Sequence, residues 1–242
     1  MKKVWILSTC LLLALPATAQ WGKKIKGNGN MVTVERSVGS YDGVALSGWF
    51  DLELVSGSEG ELTLSGEENL LEHLETEVKN GTLTIKPEKG YNLQPSSWKS
   101  GGIKIIVPVE EINSVAMSGS GDIVGKTKLK SDDFEVVMSG SGDITLDIDG
   151  NSVESTLSGS GDIRLSGRAN DFSVKISGSG DVHAYDLEAK NVNAVVSGSA
   201  DIKVTALESL TARVSGSGDI HYRGNPEKID SKTAGSGDIT KG

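Results

Sequence analysis

The sequence predicts an all-β protein, a parallel β-helix (solenoid) with an irregular N-terminal β region as its cap. Three observations predict it. The hexapeptide SGSGDI, or a close variant, begins at Ser118, Ser139, Ser158, Ser177, Ser197, Ser215 and Ala234, with spacings of 21, 19, 19, 20, 18 and 19 residues. A near-constant period of this length marks a stack whose units bury their apolar faces only against one another. Around each hexad apolar and polar residues alternate, the two-residue period of a strand with one buried face. Finally, no helical stretch separates the hexads, so the coils must pair directly, each with the one above and the one below.

Residues 1–19 read as a secretory signal peptide. Lys2 and Lys3 open it, Val4 to Leu15 form the apolar run, and Ala17-Thr18-Ala19 is a small-x-small cleavage site that leaves Gln20 first. The run is too short to span a bilayer, and no later segment is long and apolar enough to be transmembrane. Cys10 is the single cysteine and lies in that run, so neither disulfides nor thiolate metal sites hold the mature chain together. Losing Lys2 and Lys3 takes the formal charge from −9 to −11. Such an acidic surface repels nucleic acid and anionic headgroups.

Residues 20–30 (QWGKKIKGNGN) read as a flexible lead-in. Residues 31–113 form the N-terminal β region that caps the solenoid. Leu46-Ser47-Gly48-Trp49-Phe50-Asp51-Leu52 shares the frame of Met117-Ser118-Gly119-Ser120-Gly121-Asp122-Ile123 and reads as a degenerate copy of the repeat, with Phe50 in a glycine column. Asn80-Gly81 between two alternating runs is a tight hairpin. Glu67 to Leu74 is expected as a short helix and Ile103 to Val109 as a strand.

Residues 114–242 are the β-helix of seven repeats. In the second, Phe134, Val136, Met138, Ile144, Leu146 and Ile148 share one parity with the two glycines. The glycines mark a corner where a Cβ would clash or φ is positive. Ala200 once replaces the second glycine, which points to tight packing at that position.

Stacking turns equivalent residues into ladders. Asp122, Asp143, Asp162, Asp181, Asp201, Asp219 and Asp238 form a carboxylate row with a spacing of about 4.8 Å. One reading is Ca²⁺ binding, since hard cations take oxygen ligands. The favoured reading is a turn device in which each Asp accepts backbone N–H groups. Two residues on, Arg164, His183, Lys203 and His221 offset the row as cross-strand partners, a better account of the histidines than metal ligation. No metal site or cofactor is expected. The Ser columns, such as Ser120, Ser141 and Ser160, are too repetitive for a nucleophile, which needs one base and one oxyanion hole. They suit inter-coil hydrogen bonding or a polar contact surface. Trp49, Tyr91 and Trp98 are the singular residues, and exposed aromatics can stack on sugars or anchor a protein partner.

With the export signal, the segment GNGN, SGWFDLEL, ENLLEHLETEVKNGTLTI and the SGSGDI run, the chain resembles the auto-transporter adhesin family with a head GIN domain over nearly all of its mature length. The resemblance implies a right-handed β-helix, shaped like pectin lyases but without their catalytic residues, and a role in cell adhesion. No translocator barrel follows residue 242, so self-transport is not expected.

The expectation is an exported, extracytoplasmic binding or adhesion module, not an enzyme, whose flat polar face, about 29 Å long at ~4.8 Å per coil, meets a glycan or a cell-surface protein. Nucleic acid is not an expected partner. Two alternatives stand beside it. One is a polysaccharide lyase or hydrolase using Asp181, His183, Lys203 and His221. The other is a structural envelope protein that self-associates through the solenoid ends near Ile239.

Overall fold

The structure, a computed structural model, describes residues 22–99 and 102–242. The signal-peptide reading of residues 1–19 lies outside them. Among the described residues, eighteen strands and one short helix follow in order. The N-terminal region holds β1 (Lys23–Lys26), β2 (Met31–Ser37), β3 (Gly43–Gly48), β4 (Asp51–Ser56), β5 (Glu61–Glu67), α1 (Glu68–Leu71), β6 (Leu74–Lys79), β7 (Thr82–Pro87), β8 (Tyr91–Gln94) and β9 (Lys104–Val109). The repeats supply β10 (Ser114–Gly119), β11 (Ile123–Gly140), β12 (Ile144–Gly159), β13 (Ile163–Gly178), β14 (Val182–Gly198), β15 (Ile202–Gly216), β16 (Ile220–Arg223), β17 (Lys228–Gly235) and β18 (Ile239–Lys241).

Each long strand from β11 to β15 starts just after one hexad's Asp and ends at the first glycine of the next. Neighbouring coils pair in parallel, and the hexads fall into strict register, with Gly119, Gly140, Gly159, Gly178, Gly198, Gly216 and Gly235 in one column. The chain is thus a parallel β-solenoid, as the repeat period predicts. The degenerate copy belongs to the same stack: β3 pairs with β10 at Gly48↔Gly119, and β4 pairs with β11 at Leu52↔Ile123.

The core is a set of apolar columns. One runs Leu52, Ile123, Ile144, Ile163, Val182, Ile202 and Ile220, all buried. Another runs Met117, Met138, Leu157, Ile176, Val196 and Val214. Full burial of one such side chain stabilises by roughly 1.5–3 kcal/mol, and each rung adds several. At the last coil the pattern changes. Ser231 follows Ala212 and Thr233 follows Val214, while Ile229 under Leu210 is half exposed. Together with Lys228, Asp230 and Lys232, these residues give the last strand a polar, charged edge of the kind that resists pairing with another chain.

Unequal repeat lengths are absorbed away from the hexad. The 21-residue spacing places its two extra residues within 125–127, where the register shifts between Val124 and Lys128. The 20-residue spacing adds one residue beside Ala184 and Tyr185, opposite Leu165. The 18-residue coil omits partners for 185–187 and regains one residue at 207–208. Repeats of 19 residues pair without interruption.

At the N-terminal end β2 runs antiparallel to β5, β5 antiparallel to β9, and β6–β7 form a hairpin. Its turn is Asn80-Gly81, both at positive φ (52° and 78°), as a two-residue turn of this kind requires. The expected strand at 103–109 is present as β9. The helix expected over 67–74 is a single turn, because β5 continues through Glu67 and β6 begins at Leu74. Arg36 holds the end of that turn by donating to the carbonyls of Leu71 and Leu74.

The lead-in differs from expectation. Lys23–Lys26 form a parallel strand with Tyr91–Gln94, and the Gly27 N–H continues the pairing onto the Gln94 carbonyl at 2.8 Å. The reason is Glu67, a fully buried carboxylate. It accepts the N–H groups of Gly29 and Ser96, the latter at 2.7 Å, and so ties residues 27–30 and the loop after β8 to the end of β5. A Cβ at Gly27 would fall 2.2 Å from that carboxylate, so GNGN is shaped to wrap it. Asn69 adds two bonds, accepting from the Asn28 N–H at 3.0 Å and donating to the Lys26 carbonyl at 2.8 Å.

Candidate functional site

The hexads make one corner of the solenoid. The first glycine of each takes φ between +133° and +156°, open in practice to glycine alone. At Gly159 an added Cβ would also lie 2.1 Å from the Gly140 carbonyl oxygen. The second glycine is confined by space: at Gly161 a Cβ would lie 1.8 Å from the Gly142 oxygen. Ala200 nevertheless fits its methyl into that column, fully buried. The two glycines therefore have different reasons to be glycine.

The Asp residues stand in one continuous relay. The backbone N–H of each donates to Oδ1 of the Asp one coil earlier, from Asp122 onto Asp51 (3.3 Å) through to Asp238 onto Asp219 (2.7 Å). In return, the earlier coil's apolar residue donates to the later Asp carbonyl, as Ile144 does to Asp162 at 2.9 Å. Burial pushes the Asp51 carboxyl up, and the charge of Asp122 adds to this, against the Asp122 N–H and Lys104.

The basic column compensates only locally. Arg164 forks between Asp143 Oδ2 (3.1 Å) and Asp162 Oδ2 (2.9 Å), and His183 Nε2 lies 3.9 Å from Asp162 Oδ2. His221 bonds instead to Thr240 Oγ1 at 2.7 Å. His183, Lys203 and His221 lie in successive rungs of one column, spread along the stack and not gathered round one point.

The Ser hydroxyls occupy two exposed columns on the same corner. One contains Ser118, Ser139, Ser158 and their equivalents, the other Ser120, Ser141 and Ser160. The second column is headed by Trp49, since three residues separate Gly48 from Leu52 just as three separate Gly119 from Ile123. Phe50, in the column of Gly121, is fully buried, and its ring lies where a Cβ on Gly48 would come within 2.7 Å of it.

The three singular aromatics separate into two groups. Trp49 and Trp98 meet edge to face at 5.2 Å, and Trp49 Nε1 donates to the Leu93 carbonyl at 3.0 Å. Trp98 is 72% exposed, although Trp49 packs on the core. Tyr91 instead stacks on His73 at 4.2 Å, and His73 Nδ1 lies 2.8 Å from Glu88 Oε2. Glu67 has no signal in the sequence, because its partners are backbone N–H groups. Burial pushes its carboxyl up, but the Ser96 and Gly29 N–H groups and the Ser96 hydroxyl outweigh this and hold it below the usual value.

Residues 40–226 match the family described as "Putative auto-transporter adhesin, head GIN domain". Among solved structures, a putative adhesin from Bacteroides fragilis is similar with a TM-score of 0.82 at 24% identity, over 90% of this chain and 99% of its own. A putative lipid binding protein from Parabacteroides distasonis is similar at 0.75 and 31% identity, over 91% and 100%. A putative adhesin from Parabacteroides merdae is similar at 0.72 and 18%, over 91% and 99%. No curated protein matches the sequence. Among the described residues, no helix is long and apolar enough to cross a membrane.

Proposed function

Because the chain belongs to the auto-transporter adhesin, head GIN domain family, we propose that it is an exported, non-catalytic binding module whose hexad corner meets a glycan or a cell-surface protein. The observation that carries this reading is the outward column that starts at Trp49 and continues as one exposed Ser per coil. Backbone groups along the corner are spent on neighbouring coils, so what it offers a partner is hydroxyls and carboxylates in register, with the Trp49–Trp98 pair at one end. Aromatic faces stack on sugar rings, and rows of hydroxyls match a polymer that is itself rich in hydroxyls. Trp49 and Trp98 are the proposed ligand contacts. Tyr91, stacked on His73, is a further proposed contact separate from that pair.

Glycan arrays and surface-extract pull-downs test this reading. Binding is expected, with Trp98→Ala weakening it and a Ser160→Arg/Ser179→Arg double variant abolishing it. Clean negatives in both assays would overturn it.

A second reading, lipid contact, is favoured by one observation. The relative at 31% identity carries a lipid-binding name, and Trp98 here is an exposed Trp followed by Lys99, in a loop tied through Glu67 to Gly29, just after the Lys23–Lys26 strand. Trp and Lys are the residues that settle at a bilayer interface. Co-sedimentation with neutral and anionic vesicles distinguishes this reading from the first.

A further inference from the structure

From the geometry of two adjacent rungs, we infer that Asp162, Asp181 and His183 form a binding site for a single transition-metal dication of the Zn²⁺ type. One ligand atom from each lies within 4.8 Å of the others. The relay fixes how the carboxylates are used. Asp162 Oδ1 takes the Asp181 N–H at 3.2 Å and Asp181 Oδ1 takes the Asp201 N–H at 2.8 Å, which leaves Oδ2 of Asp181 and, shared with Arg164, Oδ2 of Asp162.

The histidine supplies an independent observation. Of the three in the chain, His73 and His221 each hold a hydrogen bond at Nδ1, to Glu88 and Thr240. His183, with its side chain 32% exposed, makes no hydrogen bond among the described residues; its Nε2 lies 3.9 Å from Asp162 Oδ2. A part-buried imidazole without a hydrogen bond among the described residues, beside one carboxylate oxygen that no hydrogen bond or ion pair occupies (Asp181) and one shared with a guanidinium (Asp162), is a nitrogen–oxygen donor set. Such a set suits Zn²⁺, Co²⁺ or Ni²⁺ better than Ca²⁺, which takes six to eight oxygens. Zn–N and Zn–O distances of about 2.0–2.2 Å require the three atoms to draw together by an ångström or so, within reach of surface rotamers.

Arg164 is the built-in competitor. It holds Asp162 Oδ2 at 2.9 Å but also Asp143 Oδ2 at 3.1 Å, so it can keep the second carboxylate when the first turns to a metal. The site is therefore expected to be weak in the native chain and stronger without the guanidinium. It stands apart from the glycan and lipid readings and requires neither.

Calorimetric titration of the full, tag-free chain with ZnCl₂ tests it. One ion per chain is expected. His183→Ala and Asp181→Asn should each weaken binding by about tenfold or more, at least the loss seen when outer-shell partners are removed. Arg164→Ala should tighten it several-fold, and His221→Ala should leave it unchanged. Far-ultraviolet circular dichroism shows that each variant keeps its β signal, and His183→Gln serves if the alanine variant does not fold. The absence of saturable Zn²⁺ binding would overturn the proposal. So would wild-type affinity in His183→Ala, or Ca²⁺ binding as tight as Zn²⁺ with the carboxylates alone required.

Discussion

A single oxygen atom per coil carries much of the corner's order. Asp201 Oδ1 accepts the Asp219 N–H at 2.8 Å, and Asp201 has no cationic partner within salt-bridge distance among the described residues, which makes it a clean probe of the relay. Hydrogen bonds to charged groups contribute about 1.5–3 kcal/mol, so Asp201→Ala should cost on that order in chemical denaturation, whereas Asp201→Asn, which keeps a carbonyl acceptor, should lose less. Ser155 is the opposite case. It is fully buried and its hydroxyl has no hydrogen-bond partner among the described residues, where its column neighbours are Val136 and Val174. A buried polar group left unpaired costs about 1–3 kcal/mol, so Ser155→Val should raise stability by about 1 kcal/mol, visible as a higher Tm. The Asp row and its role as a backbone acceptor could be read from the hexad itself. That Ser155 faces inward also follows from alternation, but its lack of a partner does not, because this depends on what the adjacent coils carry.

At the scale of the element, the hexad and the rest of a coil obey different rules. The hexad corner fixes φ, Cβ clearance and the relay together, whereas the segments outside it have already absorbed changes of one to three residues in this molecule. Inserting two residues after Arg168 should shift Tm by only a few degrees, since loop extension is cheap. One residue inserted between Ser160 and Gly161 should abolish cooperative melting, because it moves the later Asp out of its column. The hexad spacings disclosed that coil lengths vary, but not where the surplus goes; that is decided by which part of the coil can bulge without breaking the hexad column. The N-terminal strand was hidden for another reason. Lys23–Lys26 has one apolar residue in four, and what orders it is a carboxylate about forty residues away. Since Glu67 is depressed in the folded state, its contribution to stability is present above the ordinary glutamate range and is lost as pH falls through the folded value. Thermal melts from pH 7 down to 3 should show this loss in the native chain and a flatter profile in Glu67→Gln, whose acid sensitivity no longer includes this group.

For the molecule as a whole, stability is close to a sum of rungs and the contacts between them. Repetition made this architecture legible: seven hexads define the stack, and the degenerate copy at Leu46–Leu52 joins it in register. The meeting of Trp49 with Trp98 was not legible, because their separation along the chain has no period. The relay also has a direction. Every carboxylate from Asp51 to Asp219 reaches toward the coil that comes later in the chain, so each finished turn holds out an acceptor for a turn not yet made. A polypeptide that emerges N-terminus first, from a ribosome or a membrane pore, can thus be wound onto its own leading end one lap at a time, like thread onto a spool, with each new lap meeting a ready foothold.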